Sequence, residues 1–503
     1  MRYDRLNRKS PDFDEEALRT YADLFAGGRQ FRRNIEHYLI KNDLEPDPVF
    51  KKRCKAAHYI NYAGPMAGFF AARLFESKPT VQTADKRPLD KAYSDFKEDC
   101  DDTGTDFEVF LGERIVEALI KRTVFWRVDF GGIPDPKMSI AEADEAGLRR
   151  PRLVHIPAEQ MIDWRADKVG RDRYKYRWIK QHEKVSELVE FDDVTPTVTE
   201  TWTVYRDDGS IRRWQIVYLD DKDHRPKDDS DIPEVTEGLP VNPSGELPIV
   251  ALRLPDHLYL AEHVADAQLE HFRTSCAESW AISRCAYTMP WFTLANAKKP
   301  PVMGSGYYGI LGFTRGGAPE TIQWPGPSAV PFEVLARKTE NLKDEIHRVA
   351  HQMARGVNNN AVALGRSALS KQTDNAATDT VLTELGRFVR RAIEDTFELI
   401  GDGRGEDLEF HIGGMDRYQT PDPAGLSAAA LLVAQNPDMA SPTGRRQLAR
   451  RQWREYLPDL DEPTLQTIYD ENDRLITETK PPFPPPAAPP GAPPPSAPPK
   501  ATP

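Results

Sequence analysis

The chain has only four cysteines, Cys54, Cys100, Cys276 and Cys285, and no CxxC pair among them. That excludes a zinc ribbon and a secreted disulfide framework, and a reducing compartment is expected. Long apolar runs are missing too. No stretch approaches the roughly 18 apolar residues of a membrane span, and the opening MRYDRLNRKSPDFDEE lacks the apolar core of a signal peptide, so a soluble protein is expected. Positive charge is in deficit. A net charge of −12 argues against a general nucleic-acid binder, whose affinity comes from a local excess of Lys and Arg. It does not exclude DNA as a passenger, because an acidic wall can enclose a duplex while repelling it. No internal repeat is visible.

Motifs for catalysis are equally sparse. Asp99-Cys-Asp101-Asp-Thr103-Gly104 begins like a calcium loop, with oxygen ligands at alternate positions and a turn glycine at the sixth. The twelfth position, which requires a bidentate Glu, is Phe110, so a helix-initiating acidic turn is the simpler reading. Glu98, Asp99, Asp101 and Asp106 could serve a metal-dependent nuclease, but they are contiguous rather than gathered from separate elements. His347 and His351 stand one helical turn apart without the Glu of HExxH or a third ligand. Gly304-Ser305-Gly306 lacks the lysine and following helix of a phosphate loop. No Ser, His and Asp arrangement stands out. Neither an enzyme nor a cofactor or metal is expected.

What is present is organised around Pro331 to Ile400. With 503 residues the chain can bury substantial cores in two or three domains or one extended subunit. Phe332, Leu335, Leu342, Ile346, Val349 and Met353 fall on one face of a helix, and the remaining positions carry charges of both signs. The pattern then breaks at Gly356, the triplet Asn358, Asn359 and Asn360, and Gly365, which reads as a loop over 354–368. From about Asn375 a helical period returns through Val381, Leu385, Phe388, Val389, Ile393 and Phe397, with Gly401 placed to end it. An ordinary helical hairpin in a core would show the same pattern.

The rest of the chain reads as α+β. Residues 11–45 are helical, and Val49 to Phe75 is a second helical region that Gly64-Pro65 should kink or split. A helical pattern follows Lys78-Pro79, then an amphipathic helix begins after Asp102-Thr103-Gly104 and runs through Phe107, Phe110, Leu111, Ile115 and Leu119. Strands are expected at Thr123–Asp129, Leu153–Ile156, Tyr174–Ile179, Val198–Tyr205, Arg212–Tyr218 and Leu247–Leu252, with Asp207-Asp208-Gly209-Ser210 as a hairpin turn. Tyr259 to Ser283 is helical with apolar residues on no narrow face, which suits a helix flanked by identical neighbours and equally a plain core helix. Between Pro290 and Pro331 lies a compact β insertion containing Trp291–Leu294 and Tyr307–Phe313. A strand at Leu408–Ile412 precedes helices at Ala424–Ala434, Thr443–Tyr456 and Glu462–Thr477. From residue 481 the chain is mostly Pro and Ala and should be extended.

Several of these stretches together resemble bacteriophage portal proteins. Lys51 to Asn61 with Phe75-Glu-Ser-Lys-Pro79 is similar to the N-terminal segment of one portal group, as is Asp101 to Phe107 leading into Val124–Asp129. Pro157 to Trp164, Leu247-Pro-Ile-Val250 and Ala267 to Arg273 are similar to its strand-turn signature, its strand and its first stem helix. The likeness spans roughly 48–478 and lies in the order of the segments. Arg122-Thr-Val-Phe-Trp126 departs from it, standing where a glycine-bearing turn is the family's habit.

The resemblance implies a wing over 1–256, a first stem helix over 257–289 and a clip over 290–330. A second stem helix over 331–353, a tunnel loop and long helix over 354–420, a helical crown over 421–480 and a disordered tail over 481–503 complete it. It also implies a homo-oligomeric ring, usually of twelve subunits, at a capsid vertex of the virion, passing double-stranded DNA. Terminase, a head-tail adaptor and the major capsid protein would be its partners. On this reading Asn358, Asn359, Asn360 and Arg366 are expected at the channel constriction. The alternatives are the nuclease and another virion adaptor or structural protein.

Overall fold

The computed structural model describes residues 1–83, 89–133, 135, 137–169, 174–188, 195–220, 224–285, 291–294, 310–313, 321–323, 330–353, 368–406, 408–415, 418, 446, 449–450 and 462–478. They belong to two units, Met1–Tyr418 and Gln419–Pro503. The fold is mixed α+β, with several helices and small sheets.

The first unit opens with α1 (Tyr3–Leu6), α2 (Glu15–Ala26), α3 (Gly28–Arg33), α4 (Ile35–Tyr38), α5 (Asp47–Ala56) and α6 (Ala63–Leu74). Strand β1 (Thr80–Thr83), α7 (Lys91–Glu98), α8 (Phe107–Lys121), β2 (Thr123–Phe130), α9 (Ile140–Glu145) and β3 (Pro151–Ile156) follow. A run of strands comes next: β4 (Met161–Lys168), β5 (Tyr174–Glu187), β6 (Thr197–Arg206), β7 (Ile211–Leu219), β8 (Glu234–Val235) and β9 (Ile249–Arg253). Then come α10 (Leu260–Cys285), β10 (Trp291–Leu294), β11 (Ile310–Phe313), β12 (Thr321–Gln323), α11 (Val330–Met353), α12 (Ala368–Arg404) and β13 (Phe410–Gly413).

Among the described residues the strands form four sheets, ordered β4-β5-β6-β7-β8, β3-β2-β9, β1-β13 and β11-β10-β12. All pairings are antiparallel except that of β10 with β11. The hairpin between β6 and β7 turns where Asp-Asp-Gly-Ser places it, with Gly209 at φ 75°.

Helix α12 organises the main core. Leu382, Leu385, Phe388, Val389, Ala392, Ile393, Phe397 and Ile400 are all buried, and they share one core with Phe110 and Ile115 of α8 and with Trp126 of β2. Burying each large side chain of this face contributes about 1.5–3 kcal/mol to the unit's cohesion. Trp126 Nε1 donates to Thr396 Oγ1 at 3.0 Å, and Thr396 in turn donates to the Ala392 carbonyl at 2.6 Å, so neither buried polar group is orphaned. At the C-terminal end the buried Arg404 guanidinium pairs with Glu406 (2.7 Å), Asp90 (3.3 Å) and Asp144 (3.5 Å) and lies over the Tyr93 ring.

Helix α8 starts at Asp106, whose carboxylate accepts from Glu108 N at 2.7 Å, and stops at Arg122, which takes φ 68°. That is the backbone region glycine enters freely and other residues at a cost. Arg122 is held there by its ion pair with Asp256 and a 3.4 Å bond to the Leu254 carbonyl.

Three expectations need correction. Gly64-Pro65 does not split the helical region. The break falls at 57–62, and Pro65 sits in the first turn of α6, where its missing N–H costs nothing and Asn61 Oδ1 accepts from Gly64 N. Gly401 does not end the long helix, which continues to Arg404 and stops at Gly405 (φ 68°). That helix also begins at Ala368 rather than near Asn375. Strands β1 and β12 were not legible in the sequence. The helices expected at 424–434 and 443–456 lie outside the described residues apart from Arg446, Ala449 and Arg450, and the tail from residue 481 lies wholly outside them. In the second unit the structure gives α13 (Glu462–Glu478), on which Tyr469 is buried under Arg450 and Asp473 pairs with Arg450 at 2.7 Å.

The five-stranded sheet holds Glu200, 2 % exposed, against Lys184 Nζ (2.9 Å), the hydroxyls of Tyr218 (2.7 Å) and Tyr3 (3.0 Å), and His182. Burial alone would raise its pKa, but the bonds from His182, Lys184, Tyr218 and Tyr3 more than reverse this and hold it down at about 2. A depressed carboxylate stabilises the fold above its unfolded pKa and loses that contribution as pH falls through the folded one. Glu200→Gln should therefore cost about 3 kcal/mol at pH 7, and the gap to the parent protein in urea unfolding should close between pH 4.5 and 2. Gly386→Ala tests the core. Helix propensity favours Ala by about 1 kcal/mol, yet its Cβ would lie 2.1 Å from the Met415 carbonyl oxygen. The clash should win, with a net loss of about 1–3 kcal/mol in the same assay.

Candidate functional site

Helices α10 and α11, of 26 and 24 residues, are long rods of about 39 and 36 Å. They run antiparallel and pack directly against one another, with the small sheet β11-β10-β12 between them in the chain order. Thr339 Oγ1 donates to Glu278 Oε2 at 3.1 Å and Lys338 pairs with Glu270. Further down, the Tyr62 ring stands between His271 (5.1 Å) and His347 (5.7 Å), edge-on to both.

Burial along α10 is graded. Leu260, Ala261, Val264, Ala265, Gln268 and Phe272 are buried in the core, and the amide of Gln268 bridges the Ile60 carbonyl (2.8 Å) and Tyr62 N (3.2 Å). Beyond Cys276 the helix emerges: Ala277, Ser279, Ile282 and Ser283 are exposed. On α11, Ile346 is buried while Phe332, Leu335, Leu342 and Val349 are half-buried. At the outer end Val330 is 63 %, Val334 62 % and Ile282 46 % exposed.

Of the long-helix residues, Leu385, Phe388, Val389 and Ile393 are buried and Val381 is half-buried. Asn358, Asn359, Asn360 and Arg366, together with the side chains of Met353 and His351, lie outside the described residues.

The acidic turn is a structural cap. Asp99 Oδ1 accepts from Gly104 N and Asp101 Oδ1 from Thr103 N, Asp106 caps α8, and Arg150 pairs with Asp99 and Asp102. These carboxylate oxygens are spent on backbone N–H groups and a guanidinium. Among the described residues no group of three or more His, Cys, Asp or Glu could hold a metal ion, so the nuclease reading is not favoured. Nor does any described helix have the length and apolarity to cross a membrane.

A cavity of about 480 Å³ opens between β9, the start of β5 and α12. Its lining carries Lys175, Arg253 and Arg391 together with Asp207, Glu246, Asp395, Glu398 and Asp402, and includes no Ser, Cys or His that could act as nucleophile or base near neutral pH. Sequence reasoning missed this cavity and the Gln268 bridge, since both join residues far apart in the chain. Cys54, Cys100 and Cys276 are free and buried, and burial pushes all three thiols up, away from reactivity.

No protein-family model matches the chain, and no curated protein does. Among solved structures it is similar to a chain of "Neck of empty GTA particle computed with C6 symmetry", with TM-score 0.39 and 14 % identity over 77 % of this chain and 90 % of that one. It is also similar to a chain of "Virion of native gene transfer agent (GTA) particle", with TM-score 0.39 and 11 % identity over 88 % of this chain and 95 % of that one. These are distant structural similarities to components of such particles, and at this TM-score they decide neither fold nor function.

Proposed function

We propose that this chain is a portal protein. It forms a ring channel at one capsid vertex, through which double-stranded DNA is packaged and later ejected, and it has no catalytic chemistry of its own. Terminase docks on it during packaging and head-tail connector proteins afterwards, with the major capsid protein around it. It assembles in the host cytoplasm and resides in the virion.

The observation that carries this reading is the helix pair α10 and α11, buried in the core at one end and presenting the exposed side chains of Ile282, Val330 and Val334 at the other. In a closed ring each such surface meets an identical neighbour. Two further features support it. The net charge of −12 suits a wall that DNA slides past rather than adheres to. The element order of long helix, small sheet, long helix and a second, longer helix is the order that the sequence resemblance implies.

Cryo-electron microscopy of the assembled protein should show a ring, of twelve subunits on the family's habit, with α10 and α11 bordering a central passage. A reconstruction with both helices sealed inside a lone subunit, remote from any axis, would overturn the proposal. Incubation with duplex DNA and Mg²⁺ or Mn²⁺ should leave the DNA intact, and cleavage would return the nuclease reading.

A further inference from the structure

Of the described histidines, His271 alone is fully buried, at 2 % exposure, and it sits where α10 meets α11. The Tyr62 ring stands edge-on between it and His347 of α11, and Tyr62 is itself pinned by the Gln268 amide one turn away on α10. His58, exposed on the segment between α5 and α6, faces the same imidazole. Its surroundings differ from those of the other enclosed rings. His155, His182 and His257 each lie within ion-pair reach of a carboxylate, Glu117, Glu200 and Glu384. His271 lies within reach of none among the described residues, and its Nδ1 is sealed in without a hydrogen-bond partner there.

With its proton on Nε2 a neutral ring leaves only a lone pair at Nδ1, whereas a protonated ring carries a charge and a second N–H that must be met. The charged groups facing His271 do not meet it. They are Glu340 and Lys343 on α11, Glu278 on α10 and His58. Glu340 is taken up by Lys343 at 2.8 Å, and Glu278 accepts the Thr339 hydroxyl at 3.1 Å. Helix α6, which follows Tyr62, has no charged side chain before Arg73, and α2 reaches α10 at Glu262, more than two turns before His271. Burial accordingly holds the imidazole below its usual pKa, with Glu340 the largest opposing influence. A group depressed in this way binds fewer protons folded than unfolded. Its contribution to stability is therefore lost as pH falls below the ordinary imidazole value of about 6.5 and on through the folded one.

We propose that His271 is an acid-sensitive latch on the helix pair: the neutral ring lets α10 and α11 close around Tyr62, and a proton on it opens that joint. The new N–H reaches an acceptor only if Tyr62 swings out of the seam or α11 parts from α10. Charge on α11 drives the same way, since Lys343 and His347 lie one turn apart on the side that His271 faces, and a second cation across the seam meets like charge. The latch belongs to the helix pair, so it operates in a single chain and in a ring alike, and its failure would leave the ring reading untouched.

The test is backbone hydrogen exchange of the full chain, read by mass spectrometry at about pH 7.5 and about pH 5 with labelling times scaled for the intrinsic rate. At the lower pH, residues 268–276 and 339–349 should exchange faster by about tenfold, the factor that one pKa unit supplies. Strands β6 and β7 should hold, because Glu200 keeps its charge there. His271→Gln and His271→Leu are neutral at both pH values, and each should lose the acid response. If both keep the parent's response, or if the parent shows none in these two segments, the inference fails. If His347→Gln removes the response and the His271 variants do not, the switch lies on α11 and the inference is overturned. A second measurement needs no variant. Exchange of the imidazole C2 proton in the parent should give His271 a midpoint below the ordinary imidazole value, and a midpoint at or above that value would overturn the latch.

Discussion

The contact between α12 and strand β2 is the constraint on which the first unit depends. It joins residues some 270 positions apart through one buried bond, from Trp126 Nε1 to Thr396 Oγ1, with Phe397 and Ile393 beside it and Phe110 of α8 edge-on to the Trp126 ring. Strand β2 is the middle strand of β3-β2-β9, so seating α12 against it also fixes β9 and the chain that leads from β9 into α10. The direction of α10, and with it the placing of the uncovered helix ends, follows from that one packed layer.

Charge then works at two depths. Inside, Arg404 and Glu200 are satisfied by several partners each, and the cost of burying an ion is offset only because nearly every oxygen and nitrogen around it is bonded. Outside, charges of both signs are interspersed, and exposed pairs such as Arg177 with Asp167 contribute little to holding the chain together.

What could be read from the sequence was whatever carried a local period or a local turn. The stripe of α11 gave its limits to within a residue, and Asp-Asp-Gly-Ser marked the hairpin between β6 and β7. The long helix was misjudged at both ends for physical reasons. Its first turns, Ala368 to Asp374, are mostly polar and show no apolar period. Gly401 and Gly403 look like stops but are small because Phe410 and Phe130 press against them. Arg122 stood out as an oddity before β2, and its left-handed backbone is the reason a glycine would be at home there. The Arg404 cluster and the Gln268 bridge depend on residues brought together only by the fold, and no spacing rule points to them. The residues expected at the channel constriction, Asn358 to Asn360 and Arg366, lie outside the described residues, so the candidate site was legible in its helices alone.

The graded burial of α10 has a mechanical meaning. Its last described fastening to the rest of the core is at Arg273 and Cys276, which donate to the carbonyls of Tyr38 and His58, and from Cys276 to Ser283 the helix reaches out for about 10 Å. It is a cantilever: a sideways load at the Trp280 end becomes torque at those two contacts and at the seating of Phe272.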